Sequence, residues 1–109
     1  MKGFIVEEPM QWEKVEQGVQ RRIIAYDERL MLVKVRFETG GVGSMHRHPH
    51  TQITYVESGV FEIEIDGEKR VLKKGDSYYV APDIMHGAVC LEQGVLMDSF
   101  SPMREDFIR

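Results

Sequence analysis

The segment from residue 61 to residue 72 constrains the fold of this chain more than any other. Apolar side chains at positions 61, 63 and 65 alternate with glutamates, which is the pattern of a half-buried β-strand. Asp66 and Gly67 follow, and both residue types adopt the positive φ angles that a two-residue hairpin turn requires. Val71 and Leu72 then run back along the first strand. The segment therefore predicts an antiparallel β-hairpin.

Short strands separated by turn signals occupy most of the remaining chain. Runs of apolar and β-branched residues predict further strands at residues 30–37, 78–81, 88–91 and 95–100. Turns are predicted at residues 74–76 and 92–94, both of which contain a glycine. Helix is predicted only near residues 13–17 and at residues 103–108. The pattern favours an all-β fold, a small antiparallel sandwich or closed barrel.

The length of the chain limits it to a single domain, over residues 1–109. A domain of this size buries roughly 65% of the surface that its unfolded chain exposes, so oligomerisation would help its stability. Phe4, Ile5 and Val6 are apolar and have no obvious place in so small a core. We therefore expect a homodimer that uses this N-terminal segment and exposed sheet edges.

The charge and the apolar runs of the chain indicate its partners and its location. The net charge of −4 argues against DNA or RNA as a partner, because nucleic-acid binding needs a basic surface. No apolar run approaches the ~20 residues that span a bilayer, and the apolar run at the N-terminus is too short for a signal peptide. We expect no membrane association and a cytoplasmic location. Cys90 is the only cysteine, which excludes an intramolecular disulfide and a cysteine-based zinc site.

The four histidines lie at two places in the sequence, His46, His48 and His50 in one segment and His86 in another. In an extended segment, residues 46 and 48 project from the same face, so two imidazoles can converge on one ion. Gln52 has the same parity, and closing the sheet could bring His86 to the same point. The cluster predicts a metal site. His50 follows a proline and is either a further ligand or substrate contact, or a residue at the rim behind the ligands.

The glycines around these histidines carry a resemblance to the cupins. Two patterns match the cupin motifs in order, Gly40-x5-His46-x-His48-x3-Gln52-x6-Gly59 within residues 40–59 and Gly75-x10-His86 within residues 75–90. The resemblance implies a single cupin domain, a small jelly-roll β-barrel with little helix and a metal in its mouth. Gln52 departs from the family, which usually has Glu there, and so do Ala81, Asp83 and Cys90.

With Gln52 in place of Glu, all ligands of the predicted metal site would be uncharged. An amide coordinates through its carbonyl oxygen without bringing the charge that Glu would bring, so a divalent ion keeps its full charge toward a bound ligand. Three imidazoles and one amide leave about two of six octahedral positions open. We expect one divalent transition metal, nickel, zinc, manganese or iron, because availability in the cell as well as affinity decides which ion is bound.

Asp98, Phe100 and Arg104 form a second group of candidate site residues. Asp98 and Phe100 share one face of a predicted strand, and Arg104 follows a proline turn. With residues 18–26, 48–52, 55–59 and 100–107, the whole chain resembles the small cupins of pectin degradation, which linearise unsaturated uronates. In that family the metal ligands correspond to His46, His48, Gln52 and His86, and the Asp-x-Phe-x3-Arg pattern carries the active-site residues.

This resemblance implies an enzyme whose substrate is a small anionic sugar acid. The reaction would convert a 4,5-unsaturated uronate monosaccharide, released from pectin or alginate, to the acyclic 5-keto-4-deoxyuronate. Asp98 would act as general acid/base, and the fork of Arg104 would bind the uronate carboxylate, which an acidic protein needs. Phe100 would offer the sugar an apolar face. The sequence does not select among three other candidate pocket residues, Gln20, Tyr78 and Tyr79.

Two other functions stay open on the residues alone. A non-catalytic cupin could use the metal and Arg104 to bind or sense a sugar acid without changing any bond. Another small cupin enzyme, a dioxygenase or a sugar isomerase, is the second alternative, because fold alone does not specify a reaction. Gln52 together with the Asp98, Phe100 and Arg104 set argues against both.

Overall fold

The structure, a computed structural model, describes residues 3–108, so residues 1, 2 and 109 of the predicted domain lie outside it. In chain order its strands are β1 (Glu13–Glu16), β2 (Val19–Tyr26), β3 (Met31–Phe37), β4 (Val42–His46), β5 (Thr51–Ile65), β6 (Glu68–Lys73), β7 (Ser77–Val80) and β8 (His86–Ser101). One short helix, α1 (Glu105–Ile108), follows the last strand. The all-β expectation is confirmed.

The two longest strands, β5 and β8, form the spine of the sheet. They pair antiparallel from Thr51 opposite Ser101 to Ile65 opposite His86. The strand order is β1-β2-β3-β8-β5-β6, with β4 also paired to β8 and β7 also paired to β5. Among the described residues, pairing does not lead from β6 back to β1, so the sheet curls into an open jelly roll rather than a hydrogen-bonded closed barrel.

Two apolar clusters fill the inner side of the curled sheet. The larger contains Val19, Phe37, Val56, Phe61, Ile63, Ala88, Cys90 and Leu96, and the smaller contains Met31, Val33 and Phe100. The rings of Phe37 and Phe61 meet edge to face, with centroids 5.1 Å apart. Phe100 is 2% exposed. The last strand is therefore anchored in the core at the residue that the sequence predicts to face the sugar.

The predicted hairpin is confirmed by the backbone. Asp66 and Gly67 have φ angles of 49° and 84°, and Ile65 pairs with Glu68 on the returning strand. Positive φ at both turn residues matches the right-handed twist of the two strands, which is why this dipeptide predicts the turn so well. The helix predicted at residues 103–108 is also present, as α1.

Two local predictions are wrong. Residues 13–17 do not form a helical turn, because β1 pairs with β2 and an ion pair joins Glu13 to Arg21 across the two strands. Residues 92–94 do not form a turn, because β8 continues through them. A β-carbon on Gly94 would lie 2.1 Å from the carbonyl oxygen of Ser58. The glycine thus permits a close approach of two strands at an irregular stretch of the ladder, where the sequence had suggested a chain reversal.

The homodimer expected from the N-terminal segment stays a prediction. Phe4 and Val6 are 96% and 71% exposed in the isolated chain, as a segment that contacts a second copy would be. Nothing else among residues 3–108 tests it. No helix in that range is both long enough and apolar enough to cross a membrane.

We predict that Gly59→Ala destabilises the fold far more than Gly67→Ala. Both glycines have φ of 84°, so the backbone strain of about 1 kcal/mol is common to the two variants. A β-carbon on Gly59 would lie 2.6 Å from the carbonyl oxygen of Gln93, whereas one on Gly67 meets nothing within 4 Å. Urea denaturation should show Gly59→Ala losing at least ~2 kcal/mol more than its matched control. Equal losses would contradict the close approach.

Candidate functional site

Three histidines come together where β4 ends and β8 begins. His46, the last residue of β4, pairs with His86, the first residue of β8, and His48 lies in the loop that leads to β5. One ligand nitrogen from each ring lies within 4.8 Å of those of the other two. The ring centroid of His86 is 4.3 Å from that of His46 and 4.9 Å from that of His48. The three side chains could therefore hold a metal ion.

The main-chain contacts of the three rings all use the Nδ1 atom. The Nδ1 atoms of His46, His48 and His86 lie 2.8, 3.2 and 2.8 Å from backbone carbonyl oxygens. A carbonyl only accepts, so each Nδ1 donates, and Nε2 of a neutral ring is the atom available to a metal. Nε2 of His48 also lies 2.9 Å from Oε1 of Gln52. The Nε2 of His86 is buried with no hydrogen-bond partner, a loss that costs about 1–3 kcal/mol. Coordination would satisfy this atom, so the residues fit a metal.

Burial also favours the neutral rings that coordination requires. It lowers the pKa of His86 to about 4, although the hydrogen bond to the Ile84 carbonyl opposes the shift and the neighbouring His46 and His48 add to it. Burial is likewise the largest cause of the lowered pKa of His48. A metal ion binds only unprotonated imidazole, so these rings do not need to lose a proton at neutral pH before they bind one.

The buried amide of Gln52 faces the same cluster. Its Oε1 lies 2.9 Å from Nε2 of His48, and its Nε2 donates a 2.8 Å hydrogen bond to Oγ1 of Thr54. The Thr54 hydroxyl in turn donates to Oδ1 of Asp98, at 2.6 Å. Because the amide nitrogen is held by Thr54, the amide oxygen points toward the histidines and could serve as a fourth ligand.

His50 lies beside the histidine cluster without joining it. Its ring centroid is 5.3 Å from that of His48, and it is not among the three side chains whose ligand atoms converge. Its backbone carbonyl instead accepts the hydrogen bond from Nδ1 of His48. His50 therefore orients a neighbouring ring through its main chain.

One cavity of about 280 Å³ extends from His46, one member of the histidine cluster, to the second group of candidate residues. Its lining includes His46, Gln52, Tyr78, Asp98, Phe100 and Arg104. Of the three pocket residues that the sequence left open, Tyr78 lines this cavity, Gln20 lines a separate and larger cleft, and Tyr79 is exposed. The predicted site residues at positions 46, 52, 98, 100 and 104 thus line one cavity.

Asp98 has an environment that suits proton transfer. Burial raises the pKa of its carboxyl to about 6, against the opposing effects of the Thr54 hydrogen bond and the charge of Arg104. Tyr78 and Asp98 flank Thr54 on the two neighbouring strands and line the same cavity. Burial, and after it the charge of Asp98, raises the pKa of Tyr78. A carboxyl with a pKa near neutrality can both take and give a proton at working pH.

Arg104 is buried but already holds a carboxylate. Its Nε and Nη2 donate to the two oxygens of Asp106, at 3.1 and 2.9 Å. Its guanidinium carbon lies 4.2 Å from the ring centroid of Phe107 and 5.0 Å from that of Phe100. The contact with Asp106 uses one side of the planar fork, and the structure shows no hydrogen bond from Nη1 within residues 3–108. Arg104 therefore presents its outer edge for a second anion.

Sequence reasoning missed three residues that shape this site. Thr54 links Gln52 to Asp98, Asp106 pairs with Arg104, and Phe107 packs against the guanidinium. Thr54 has the same parity on β5 as Gln52, which was a usable signal. The other two lie beyond the last strand, where no periodic pattern predicts which side chain returns to the cavity.

Comparisons with known proteins agree with this geometry. A family model described as Cupin domain matches residues 33–97. The pectin degradation protein KdgF of Dickeya dadantii (strain 3937) is 46% identical over 110 residues, which cover 99% of this chain and 100% of that protein. The structure of KdgF from Halomonas sp. matches with a TM-score of 0.93 at 44% identity, covering 98% of this chain and 99% of that one. An RmlC-like cupin from Shewanella frigidimarina gives a TM-score of 0.93 at 41% identity, covering 98% and 96%.

We predict that Asp98→Asn gains stability relative to the parent as the pH rises from about 4 to about 6. The folded pKa of about 6 lies above the ordinary 3.8, so ionisation of this carboxyl costs the folded parent stability across that window. The variant has no carboxyl to ionise at this position, so it does not lose this free energy of unfolding, which is about 3 kcal/mol at most. Chemical denaturation of the chelator-treated protein at several pH values measures the difference.

Asp106→Asn provides the control with the opposite sign. The hydrogen bond to Arg104 lowers the pKa of Asp106, so the ionised carboxylate stabilises the folded parent and the variant should lose relative stability as the pH rises. A difference between Asp98→Asn and the parent that stays constant from pH 4 to pH 7 would contradict the raised pKa of Asp98.

Proposed function

Because this chain is a cupin and is 46% identical to the KdgF pectin degradation protein, we propose that it is a pectin-degradation enzyme that linearises unsaturated uronates. The proposed substrate is a 4,5-unsaturated uronate monosaccharide and the product is the acyclic 5-keto-4-deoxyuronate. The observation that carries the proposal is one cavity lined both by His46, a member of the histidine cluster, and by the carboxyl of Asp98, whose pKa is about 6. These are the parts that a proton-transferring isomerisation of a sugar acid needs.

Four neutral donors are proposed to hold one divalent transition metal. They are the Nε2 atoms of His46, His48 and His86 and the Oε1 atom of Gln52. When bound, the ion supplies positive charge that polarises and orients hydroxyl or carboxylate oxygens of the substrate. Nickel, zinc, manganese and iron all suit a set of three imidazoles and one oxygen, so these ligands do not select one element among the four.

Arg104 is proposed to bind the carboxylate of the substrate. The protein has a net charge of −4, so an anionic sugar needs a local cation to hold it. The side of the guanidinium bound to Asp106 keeps the group in place, and its outer edge can donate to a second carboxylate. Phe100, whose ring contacts both His48 and Arg104, offers an apolar surface between the two charged regions.

Asp98 is proposed to move the proton that the isomerisation requires. The C1 hydroxyl loses its proton as the bond between C1 and the ring oxygen breaks, which leaves an aldehyde at C1. The released enol oxygen becomes the C5 ketone as C4 gains a proton, so the reaction gains and loses no atoms or electrons. One carboxyl with a pKa of about 6 can accept the first proton and deliver it to C4.

The direct test is incubation of the metal-loaded protein with freshly released unsaturated uronate. Ultraviolet absorbance follows the loss of the conjugated double bond, and NMR identifies the acyclic product. We expect first-order loss well above the spontaneous rate. A rate equal to the spontaneous one, with ligand binding retained, would favour the non-catalytic binding protein instead.

Two substitutions are predicted to separate chemistry from binding. Asp98→Asn keeps the shape of the side chain but removes the base, so kcat should fall at least ~100-fold while the substrate still binds. Arg104→Ala should mainly weaken binding, by about 2–5 kcal/mol, and Arg104→Lys should recover only part because it lacks the fork. Asp66→Asn, on the exposed hairpin turn, is the matched carboxyl control. Parental turnover in Asp98→Asn would exclude the acid/base role.

Metal analysis should show about one ion per chain in protein purified without a histidine tag. Combined His48→Ala and His86→Ala should abolish binding, since two of three imidazoles are lost. His50→Ala should keep the ion, because the main-chain carbonyl that orients His48 remains. Full occupancy in the double variant would overturn the ligand assignment, and loss of the ion in His50→Ala would make His50 a ligand.

A further inference from the structure

Thr54 occupies a central position that a purely apolar residue would normally fill. It lies inside β5, opposite Asp98 of β8 on one side and Tyr78 of β7 on the other, and its exposure is 0%. The next inward residue along the strand is Val56, which is also fully buried. A buried hydroxyl costs stability unless its hydrogen bonds are made, so the partners of this hydroxyl are informative.

Two hydrogen bonds of Thr54 go to Gln52 and Asp98 of the candidate site, and its hydroxyl also interacts with the phenol of Tyr78, which lines the same cavity. Nε2 of Gln52 lies 2.8 Å from Oγ1, and Oδ1 of Asp98 lies 2.6 Å from the same oxygen. No hydrogen bond from this hydroxyl to the main chain is seen within residues 3–108. A side chain that only filled space in the core would not need hydrogen bonds to these two groups.

Counting hydrogens fixes the direction of this chain of bonds. An amide nitrogen only donates, so Thr54 accepts from Gln52 and its single hydrogen points at Asp98. Oδ1 of Asp98 is then the oxygen without a proton, and Oδ2 is the oxygen that exchanges protons. At the other end, Oε1 of Gln52 is turned toward Nε2 of His48, 2.9 Å away. Reversing the amide would use the hydrogen of Thr54, so an ionised Asp98 would lose the donor that the structure gives it.

We propose that Thr54 is a positioning residue that turns the amide oxygen of Gln52 toward the metal site and commits Oδ1 of Asp98 as an acceptor. The first role concerns metal affinity and stands on the chain's own residues. The second role rests on the proposed function, because it assigns the proton transfer to Oδ2. Thr54 thus couples a metal ligand to the general acid/base across two strands without touching metal or substrate itself.

The test compares Thr54→Val with Thr54→Ser. Valine keeps the volume and the strand preference but removes both hydrogen bonds, whereas serine keeps the hydroxyl. Nickel chloride is titrated calorimetrically into chelator-treated, desalted protein. We expect Thr54→Val to weaken nickel binding at least about tenfold, and Thr54→Ser to remain within about threefold of the parent. Thr51→Val, on the same strand but outside the hydrogen-bond chain, is the matched control.

A second background shows whether Thr54 acts through Gln52. In Gln52→Ala the amide is absent, so adding Thr54→Val should weaken nickel binding by less than about twofold further. An undiminished tenfold loss in this background, or parental nickel affinity in Thr54→Val, would overturn the proposal. Thr54→Ala serves if the valine variant fails to give a native near-ultraviolet dichroism spectrum. This readout needs no substrate, so it remains decisive even if the parent proves to have no turnover on uronates.

Kinetics test the second role where the parent is active. Thr54→Val should lower kcat at least about tenfold with little change in KM, and Thr54→Ser should restore it. A fall in nickel affinity with unchanged kcat at saturating metal would confine Thr54 to the metal site and overturn its role toward Asp98.

Discussion

The site depends on the long ladder between β5 and β8. This ladder places Gln52 opposite Phe100 and Thr54 opposite Asp98, so both strands contribute their inward side chains to the same cavity. At its other end the ladder begins at His86, which β4 pairs with His46. A shift of one residue in either strand would turn these side chains to the opposite face. The register of one strand pair therefore sets which groups can meet.

The polar groups in this cavity are tolerated because nearly all of them are paired with one another. The rings of the three histidines are oriented by main-chain carbonyls, and the amide, hydroxyl and carboxyl of Gln52, Thr54 and Asp98 form a directed chain. In the part of the chain that the structure describes, two buried ring nitrogens have no hydrogen-bond partner, Nε2 of His86 in the cluster and Nδ1 of His50 beside it. A polar network that leaves the ligand nitrogen of His86 unpaired is the environment of a metal site rather than of a core.

Arg104 shows how an acidic protein can prepare a site for an acid. Its charge is held against the rings of Phe100 and Phe107 and is oriented by Asp106 from the short helix α1. The same charge moderates the pKa of Asp98, which burial alone would raise further. One cation therefore serves two carboxyl groups of the protein, and its outer edge is the part left for a carboxylate of the ligand.

The sequence by itself determined what depends on neighbours along the chain. The Asp66-Gly67 hairpin, the strand that ends at Phe37 and the helix at residues 105–108 follow from local conformational preference. The spacing of His46 and His48 was enough to predict a metal site, because residues two apart on an extended segment share a face. Gln52 faces the same cluster from β5, beyond the bend at residues 49–50. The cupin family was predicted from the resemblance of two glycine and histidine motifs to those of the family.

Only the tertiary structure decided what depends on distant pairing. Residues 13–16 are a strand because β2 lies beside them, and Gly94 continues β8 because Gly59 packs against it from another strand. Tyr78 faces the cavity and Tyr79 does not. Neighbouring residues of a strand face opposite sides, and only the pairing of β7 with β5 decides which of the two sides faces the cavity. The bond from Thr54 to Asp98 joins residues 44 positions apart. Contacts of this kind cannot be predicted from one sequence, because the register that brings them together is set by the packing of the whole sheet.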